Sequence, residues 1–104
     1  MTNAQEARKR TILAVFGLAC QIAKNKGARK VVLICRPFEE GIAINCCAED
    51  RSITGLKFFV RPDDNVLLVH KSGEETPVGK LDDDGIQDRI ASAILNEAPV
   101  HPLL

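Results

Sequence analysis

Residues 11–23 form the longest apolar stretch of the chain and constrain its fold more than any other feature. Apolar residues recur there at the three- and four-residue spacing of one helix face. This stripe consists of Ile12, Val15, Phe16, Ala19, Ile22 and Ala23. Leu13, Leu18 and Cys20 widen the apolar arc beyond what a helix covering one sheet needs. The pattern therefore predicts a long N-terminal helix that is buried on more than one side.

Polar residues and a glycine around this stretch predict where the helix begins and ends. Asn3 followed by Glu6, or Thr2 followed by Gln5, has the spacing of a capping box. Gly27 follows two lysines and is placed to end the helix in a left-handed conformation. These signals indicate a helix that occupies roughly the first quarter of the chain.

A second interpretation of the same stretch stays open, namely the hydrophobic part of an export signal. Basic residues precede the apolar run, and Cys20 stands where a bacterial lipoprotein signal places its lipidated cysteine. The helical pattern continues past Cys20, and Glu6 interrupts the basic start, which favours a folded helix. The stretch is also too short to cross a membrane as a helix.

Alternating apolar and polar residues after Gly27 predict β-strands. β-Branched residues are frequent in these runs, and Pro, Gly, Asp and Asn residues separate them. Residues 37–41 are expected to form a turn that Pro37 begins and that ends the first strand. The predicted strands are residues 30–36, 42–48, 56–61 and 66–71, with a short fifth edge strand over 76–81.

The acidic run Asp82, Asp83 and Asp84 is expected to open a last helix, because carboxylates are favourable at the positive end of the helix dipole. Short connections between the strands imply an antiparallel meander. We therefore expect a two-layer α+β domain with a long N-terminal helix, a four- to five-stranded meander and a C-terminal helix. Both helices should lie on one face of the sheet. One domain is expected over residues 1–104, with a tail at 97–104 that could be flexible.

The predicted strands have apolar residues on both faces of the sheet. The face toward the helices should hold Val31, Leu33, Cys35, Ile42, Ile44, Cys46, Leu56, Phe58, Val60, Val66 and Leu68. The opposite face should hold Val32, Ile34, Ala43, Cys47, Phe59, Leu67 and Val69 with Arg36, Asn45, Lys57, Arg61 and Lys71. A sheet face open to water is usually polar, so this apolar and basic surface predicts a partner.

We expect the partner to be a second copy of the chain, joined through the sheets or through their edges, or a different protein. Large patches of this kind commonly mark such interfaces. The residues expected at the interface are Val32, Ile34, Arg36, Lys57, Phe59, Arg61, Leu67, Val69 and Lys71.

Charge is distributed unevenly along a chain whose formal net charge is zero. Residues 1–30 carry +6 and residues 31–104 carry −6. A basic helix facing an acidic remainder would account for this, and so would a bipolar surface that steers an ionic partner. Nucleic acid is the alternative partner, because Phe59 could stack a base while Lys57 and Arg61 meet phosphates. The other possible phosphate contacts are Arg8, Lys9, Arg10, Lys24, Lys26, Arg29 and Lys30.

The four cysteines do not form a disulfide framework in this pattern. Cys20 lies in the helical stretch, Cys35 and Cys46 lie inside apolar runs, and adjacent strand residues Cys46 and Cys47 point to opposite faces. Buried thiols of this kind behave as small hydrophobic groups, and a reducing cytoplasmic location is the simpler expectation.

No combination of residues predicts catalysis, a metal site or a cofactor. Cys46 and Cys47 with His70 and His101 lack the spacing of a metal site. We therefore expect a non-enzymatic protein–protein interaction module without cofactor or metal, acting as a homodimer that binds or blocks another protein. Regulatory proteins, inhibitors, immunity-type proteins and phage accessory proteins fit this description. A nucleic-acid-binding domain, and a small enzyme or ligand-binding domain with its pocket between sheet and first helix, remain alternatives.

Overall fold

The computed structural model describes residues 3–27, 31–48, 56–70 and 72–97. A five-stranded sheet with strand order β1-β2-β3-β4-β5 stands between two helices in the sequence, and every neighbouring pair is antiparallel. The predicted α+β arrangement of helix, meander and helix is therefore confirmed. The elements are α1 (Asn3–Asn25), β1 (Val31–Phe38), β2 (Gly41–Ala48), β3 (Leu56–Val60), β4 (Asn65–Val69), β5 (Glu75–Lys80) and α2 (Ile86–Glu97).

The helix α1 ends as its sequence predicts. The N–H of Gly27 donates to the carbonyl of Lys24 at 3.0 Å, and Gly27 has a φ of 105°. Glycine adopts this left-handed conformation without a steric cost, so the chain can leave the helix there. Thr2 and the side chain of Asn3, which were expected to cap the other end, lie outside the described residues.

The core lies between the two helices and one face of the sheet. Phe16 of α1 meets Phe58 of β3 edge to face, with ring centroids 5.2 Å apart. Alternation assigned this face correctly for the residues that are described. The buried side chains of the core are Ile12, Phe16, Ala19, Ala23, Ile42, Ile44, Cys46, Phe58, Val60, Val66, Leu68, Leu81, Ile86, Ile90, Ala91 and Ile94.

The wide apolar arc of α1 is explained largely by α2, which packs beside it. α1 also contacts β1, whereas α2 contacts β5, so the two helices cover opposite halves of the sheet. Val15 and Ile22 are half-buried against the core, and Leu18 stays exposed. The predicted tail begins at residue 97, but Glu97 is the last residue of α2. Residues 98–104, including Pro99, lie outside the described part of the chain.

The strand β1 continues through Pro37 to Phe38, where the sequence predicted a turn. Phe38 pairs with Gly41, so the connection to β2 is a two-residue loop. Proline is tolerated in a strand only where its missing N–H would not have bonded to a neighbouring strand. The hydrogen-bond alternation across the sheet shows that Pro37 occupies such a position.

That alternation follows from one bond at the β3–β4 turn, where the N–H of Arg61 donates to the carbonyl of Asn65 at 2.9 Å. In antiparallel sheets, successive residues of a strand bond alternately to the neighbour on either side. The registers of the strand pairs extend this alternation from β3 to β2 and from β2 to β1. By it, the backbone N–H and C=O groups of Ile34, Arg36 and Phe38 point toward β2. The backbone groups of the residues between them, including Pro37, therefore point to the free edge of the sheet.

The acidic run before α2 forms a turn and not the first turn of the helix, which begins at Ile86. The Oδ2 atom of Asp83 accepts the N–H of Lys80 at 2.8 Å, and the Asp83 carbonyl accepts the N–H of Ile86 at 3.2 Å. Asp83 therefore joins the end of β5 to the start of α2. This corrects the predicted start of the helix while keeping a structural role for the acidic run.

Candidate protein-interaction surface

Three large apolar side chains are exposed along one strand, β1. The exposed fractions are 48% for Val32, 47% for Ile34 and 54% for Phe38. They occupy alternate positions and therefore share the face of the sheet that the helices leave open. Arg36, also exposed, lies between Ile34 and Phe38 on the same face. We call Val32, Ile34 and Phe38 the β1 stripe.

The centre of the open face is closed by the protein's own side chains. Ala43 is only 2% exposed and Leu67 only 8% exposed, although neither faces the helices. Phe59 stands between them in the cross-strand row and is half-buried. Its ring lies over Gly41, because a Cβ atom built on Gly41 would come within 2.9 Å of the Phe59 Cε2 atom. This part of the face therefore resembles a small second core.

An ion pair spans the open face beside this cluster. The Nη2 atom of Arg61, just after β3, lies 3.2 Å from the Oε1 atom of Glu75 on β5. The strand β4 lies between those two strands, so the ion pair passes over it near Leu67. The Arg61 guanidinium is thus already matched by a carboxylate within the chain.

The structure distributes the predicted interface residues unequally. Arg36 and Lys57 are exposed, and Val69 is half-buried. Lys71 lies outside the described residues. The exposed apolar residues of the predicted interface, Val32 and Ile34, both lie on β1. Phe38 extends this surface, although the predicted interface does not include it, because the sequence predicts a turn at Pro37.

The two edges of the sheet differ in how they are protected. β5 is six residues long, contains Pro77 and is irregular opposite Val66 and Leu67. Such features discourage another strand from adding to an edge. β1 is eight residues long and, within the described residues, has a strand neighbour on one side only. β1 also contains a proline, Pro37, but this residue is next to the last of the strand and the register with β2 is regular from end to end. β1 is therefore the edge better suited to strand addition.

The basic residues of α1 do not form one free cationic surface. Arg8 contacts the β3–β4 turn, where its Nη1 atom lies 2.5 Å from the Oδ1 atom of Asp64 and its Nη2 atom donates to the Arg61 carbonyl at 2.6 Å. Arg8 therefore supports the fold, as expected for a basic helix facing acidic groups. Of the remaining predicted phosphate contacts, Arg10 and Lys24 are exposed on α1, and Lys26 is exposed in the turn that follows it. Lys9 is half-buried, and Arg29 and Lys30 lie outside the described residues.

A small cleft lies where the start of α1 meets the end of β1. Its volume is about 140 Å³, and its lining includes Lys9, Cys35, Phe38 and Pro62. Sites for drug-sized ligands usually have volumes of roughly 300–1,000 Å³, so this cleft is smaller than such a site. A ligand pocket between the sheet and α1 is one of the predicted alternatives. The space between these two elements is occupied by buried core side chains, among them Phe16.

The described cysteine thiols are buried or half-buried, and this burial affects their pKa values. Burial raises the pKa of Cys35, and the charge of Lys9 opposes this only in part. A hydrogen bond with Cys46 lowers the pKa of Cys20, while burial acts in the other direction. Cys20, Cys35 and Cys46 are thiols and not halves of disulfides. Among the described residues, no group of His, Cys, Asp and Glu side chains is arranged to hold a metal ion.

Within the described residues, neither helix combines the length and the apolar character needed to cross a membrane. Comparison with protein-family models, curated proteins and solved structures finds no match to this chain.

Proposed function

We propose that this protein is a non-enzymatic protein–protein interaction module of the cytoplasm that acts as a homodimer and binds or blocks another protein. The observation that carries the proposal is the β1 stripe, three exposed apolar side chains on one face of a strand that, within the described residues, lies at the edge of the sheet. The thiol state of Cys20, Cys35 and Cys46, the cysteines whose side chains the structure describes, supports a reducing compartment.

The β1 stripe would contribute free energy to self-association. Full burial of a Val, Ile or Phe side chain contributes roughly 1.5–3 kcal/mol, and the stripe side chains are about half exposed. Burial of the exposed half in both chains would contribute at most about 5–9 kcal/mol, against an association cost of roughly 4–15 kcal/mol. Backbone hydrogen bonds between two edge strands would add to this.

A dimer through β1 would also create a continuous surface for a further partner. The open faces of the two sheets would join, bringing Arg36 and Lys57 of both chains onto one broad surface. The centre of this surface would be rigid, since Ala43 and Leu67 are buried on either side of Phe59, whose ring covers Gly41. A target protein with an acidic surface would be complementary to it.

Light scattering across a concentration series tests the proposal. The expected mass is about twice the 11.4 kDa of one chain. Ile34→Asp should lower the mass to that of a monomer, because it places a charge at the centre of the β1 stripe. Leu18→Asp is the matched control, since Leu18 is 57% exposed but lies on α1 away from β1. It should leave the dimer unchanged.

The proposal is wrong if the wild-type chain stays monomeric at high concentration. It is also wrong if Ile34→Asp and Leu18→Asp dissociate the dimer equally, because the β1 stripe would then have no special role. Circular dichroism of both variants should show unchanged secondary structure, which separates dissociation from unfolding.

A further inference from the structure

We infer that β1 pairs with β1 of a second copy as an antiparallel strand, across a two-fold axis at Ile34, to form one continuous sheet. This inference rests on the proposed homodimer and adds the edge, the strand direction and the register. Three kinds of observation carry it: the direction of the β1 backbone groups, the charges at either end of the strand, and the side chains on its open face.

The backbone of β1 is ready to accept a further strand. The N–H and C=O groups of Leu33 and Cys35 point to the free edge, by the alternation that the Arg61–Asn65 bond establishes. Pro37 follows in the same series and offers only its carbonyl there. The side chains of Leu33 and Cys35 are half-buried on the face of the sheet that the helices cover.

Charge favours the antiparallel direction and a second copy of this chain. Arg29 and Lys30 precede β1 in the sequence, and Glu39 and Glu40 follow it. Antiparallel pairing brings the basic start of one strand to the acidic end of the other, at both ends of the interface. Parallel pairing would place like charges together.

The register follows from the hydrogen bonds and from Arg36. With Ile34 on the axis, Leu33 of one chain lies opposite Cys35 of the other, and the two residues can exchange both backbone hydrogen bonds. Pro37 then lies opposite Val31 at the end of the ladder, where its missing N–H affects the fewest bonds. Ile34 meets its own copy, which buries the centre of the β1 stripe.

Neighbouring registers are less favourable. An axis at Arg36 sets that cation against its own copy, and an axis at Leu33 carries it past the start of β1 toward the basic residues that precede the strand in the sequence. An axis at Cys35 sets Pro37 opposite Leu33, further inside the ladder. The axis at Ile34 places Val32 opposite Arg36, and among these registers it alone sets a side chain of the β1 stripe against its own copy.

The helix layer is consistent with the same arrangement. A two-fold axis perpendicular to the sheet keeps both α1 helices on one side, next to each other above the two β1 strands. Lys9 lies near Cys35, since its charge acts on the pKa of that thiol. Leu13 is four residues further along and therefore on the same side of α1, and it is half-exposed. The dimer would bring the two copies of Leu13 toward one another.

The register can be determined by testing whether a cysteine at a given position forms a disulfide with the same cysteine of the second copy. Only the residue on the two-fold axis lies opposite its own copy, so only a cysteine there should crosslink readily. In the proposed register the Ile34 Cα atoms are about 4.5 Å apart, as in pairs that share no ladder bonds, and this suits a disulfide. The Cys35 Cα atoms are related diagonally at roughly 7–8 Å, beyond the usual disulfide range. The test variant is Ile34→Cys combined with Cys35→Ser.

Under mild oxidation the test variant should form a disulfide-linked dimer in most of the sample, which reductant reverses. The Cys35→Ser chain and the wild-type chain should stay largely uncrosslinked, the first as background and the second as a monitor of the neighbouring register. Before oxidation, light scattering should show that all three are dimers of the same mass.

The inference is overturned if wild-type Cys35 crosslinks efficiently while the test variant does not, since the axis would then lie at Cys35. It is also overturned if the chains are dimers and neither crosslinks above the Cys35→Ser background. In that case the homodimer stands but uses another register of β1 or another surface. Monomers in light scattering with no crosslinking would overturn both the inference and the proposed homodimer.

Discussion

Gly41 is the residue on which the β1–β2 hairpin and the open face both depend. Its φ is 150°, a value that residues with a side chain rarely adopt. In addition, a Cβ atom added to Gly41 would clash with the carbonyl oxygen of Val60. The Phe59 ring covers the same position. The glycine therefore allows β2 to pass beneath Phe59 while remaining paired with its neighbours.

Gly41→Ala should lower the free energy of unfolding by about 2–3 kcal/mol, from the strained backbone and the contact with Val60. Gly17→Ala is the control, because a Cβ atom there has nothing within 4 Å. Within α1, alanine should raise stability by up to about 1 kcal/mol. Urea unfolding measures both, and a Gly41→Ala protein as stable as the wild type would contradict this reading of the hairpin.

Arg8 is a second residue with a defined structural role. Its contacts with Asp64 and with the Arg61 carbonyl hold α1 to the β3–β4 turn, but both partners are partly exposed, which weakens the ion pair. Arg8→Ala should therefore lower the free energy of unfolding by about 1 kcal/mol. Arg10→Ala, which changes an exposed arginine on the same helix, should have an effect near zero in the same urea titration.

At the scale of elements, the alternation of apolar residues predicts the sheet and its covered face. Successive side chains of a strand point to opposite faces, so once one residue is assigned to a face, all the others of that strand follow. It did not predict that Ala43 and Leu67 are buried on the open face. Their burial arises from Phe59 and from the Arg61–Glu75 ion pair, which reach them across neighbouring strands. Cross-strand contacts depend on register, and register cannot be derived from one strand at a time.

The end of β1 illustrates the same limit. Proline usually ends a strand, so the sequence predicts a turn at residues 37–41 and an interaction surface without Phe38. Whether a proline interrupts a strand depends on the side to which its N–H would point. That direction depends on the whole sheet, through the bonding alternation that starts at Arg61.

The connection between β5 and α2 gives a prediction at the scale of elements. Asp83 accepts the N–H of Lys80 with its side chain and also lies 3.5 Å from Arg89. Asp83→Ala should lower the free energy of unfolding by about 1 kcal/mol, because the Lys80 N–H loses its carboxylate acceptor. Asp84→Ala is the control, since the exposed Asp84 is the next residue of the same acidic run. Equal effects of the two substitutions, measured by thermal unfolding, would show that only total charge matters.

At the scale of the whole molecule, the structure has two different edges and two different faces. The helices cover one face, Phe59 and its neighbours close much of the other, and β5 is poorly suited to pairing. What remains is β1, with a regular backbone, an exposed apolar stripe and opposite charges before and after it in the sequence. The homodimer proposed above uses this remaining edge.

Amide hydrogen exchange of β1, measured residue by residue at high and low protein concentration, tests this account most directly. The N–H groups of Ile34 and Arg36 bond to β2 and should be protected at both concentrations. Those of Leu33 and Cys35 point to the free edge, so they should be protected at high concentration and lose protection on dilution as the dimer dissociates. Rapid exchange of Leu33 and Cys35 at every concentration, with Ile34 and Arg36 protected, would contradict pairing of β1 with a second copy.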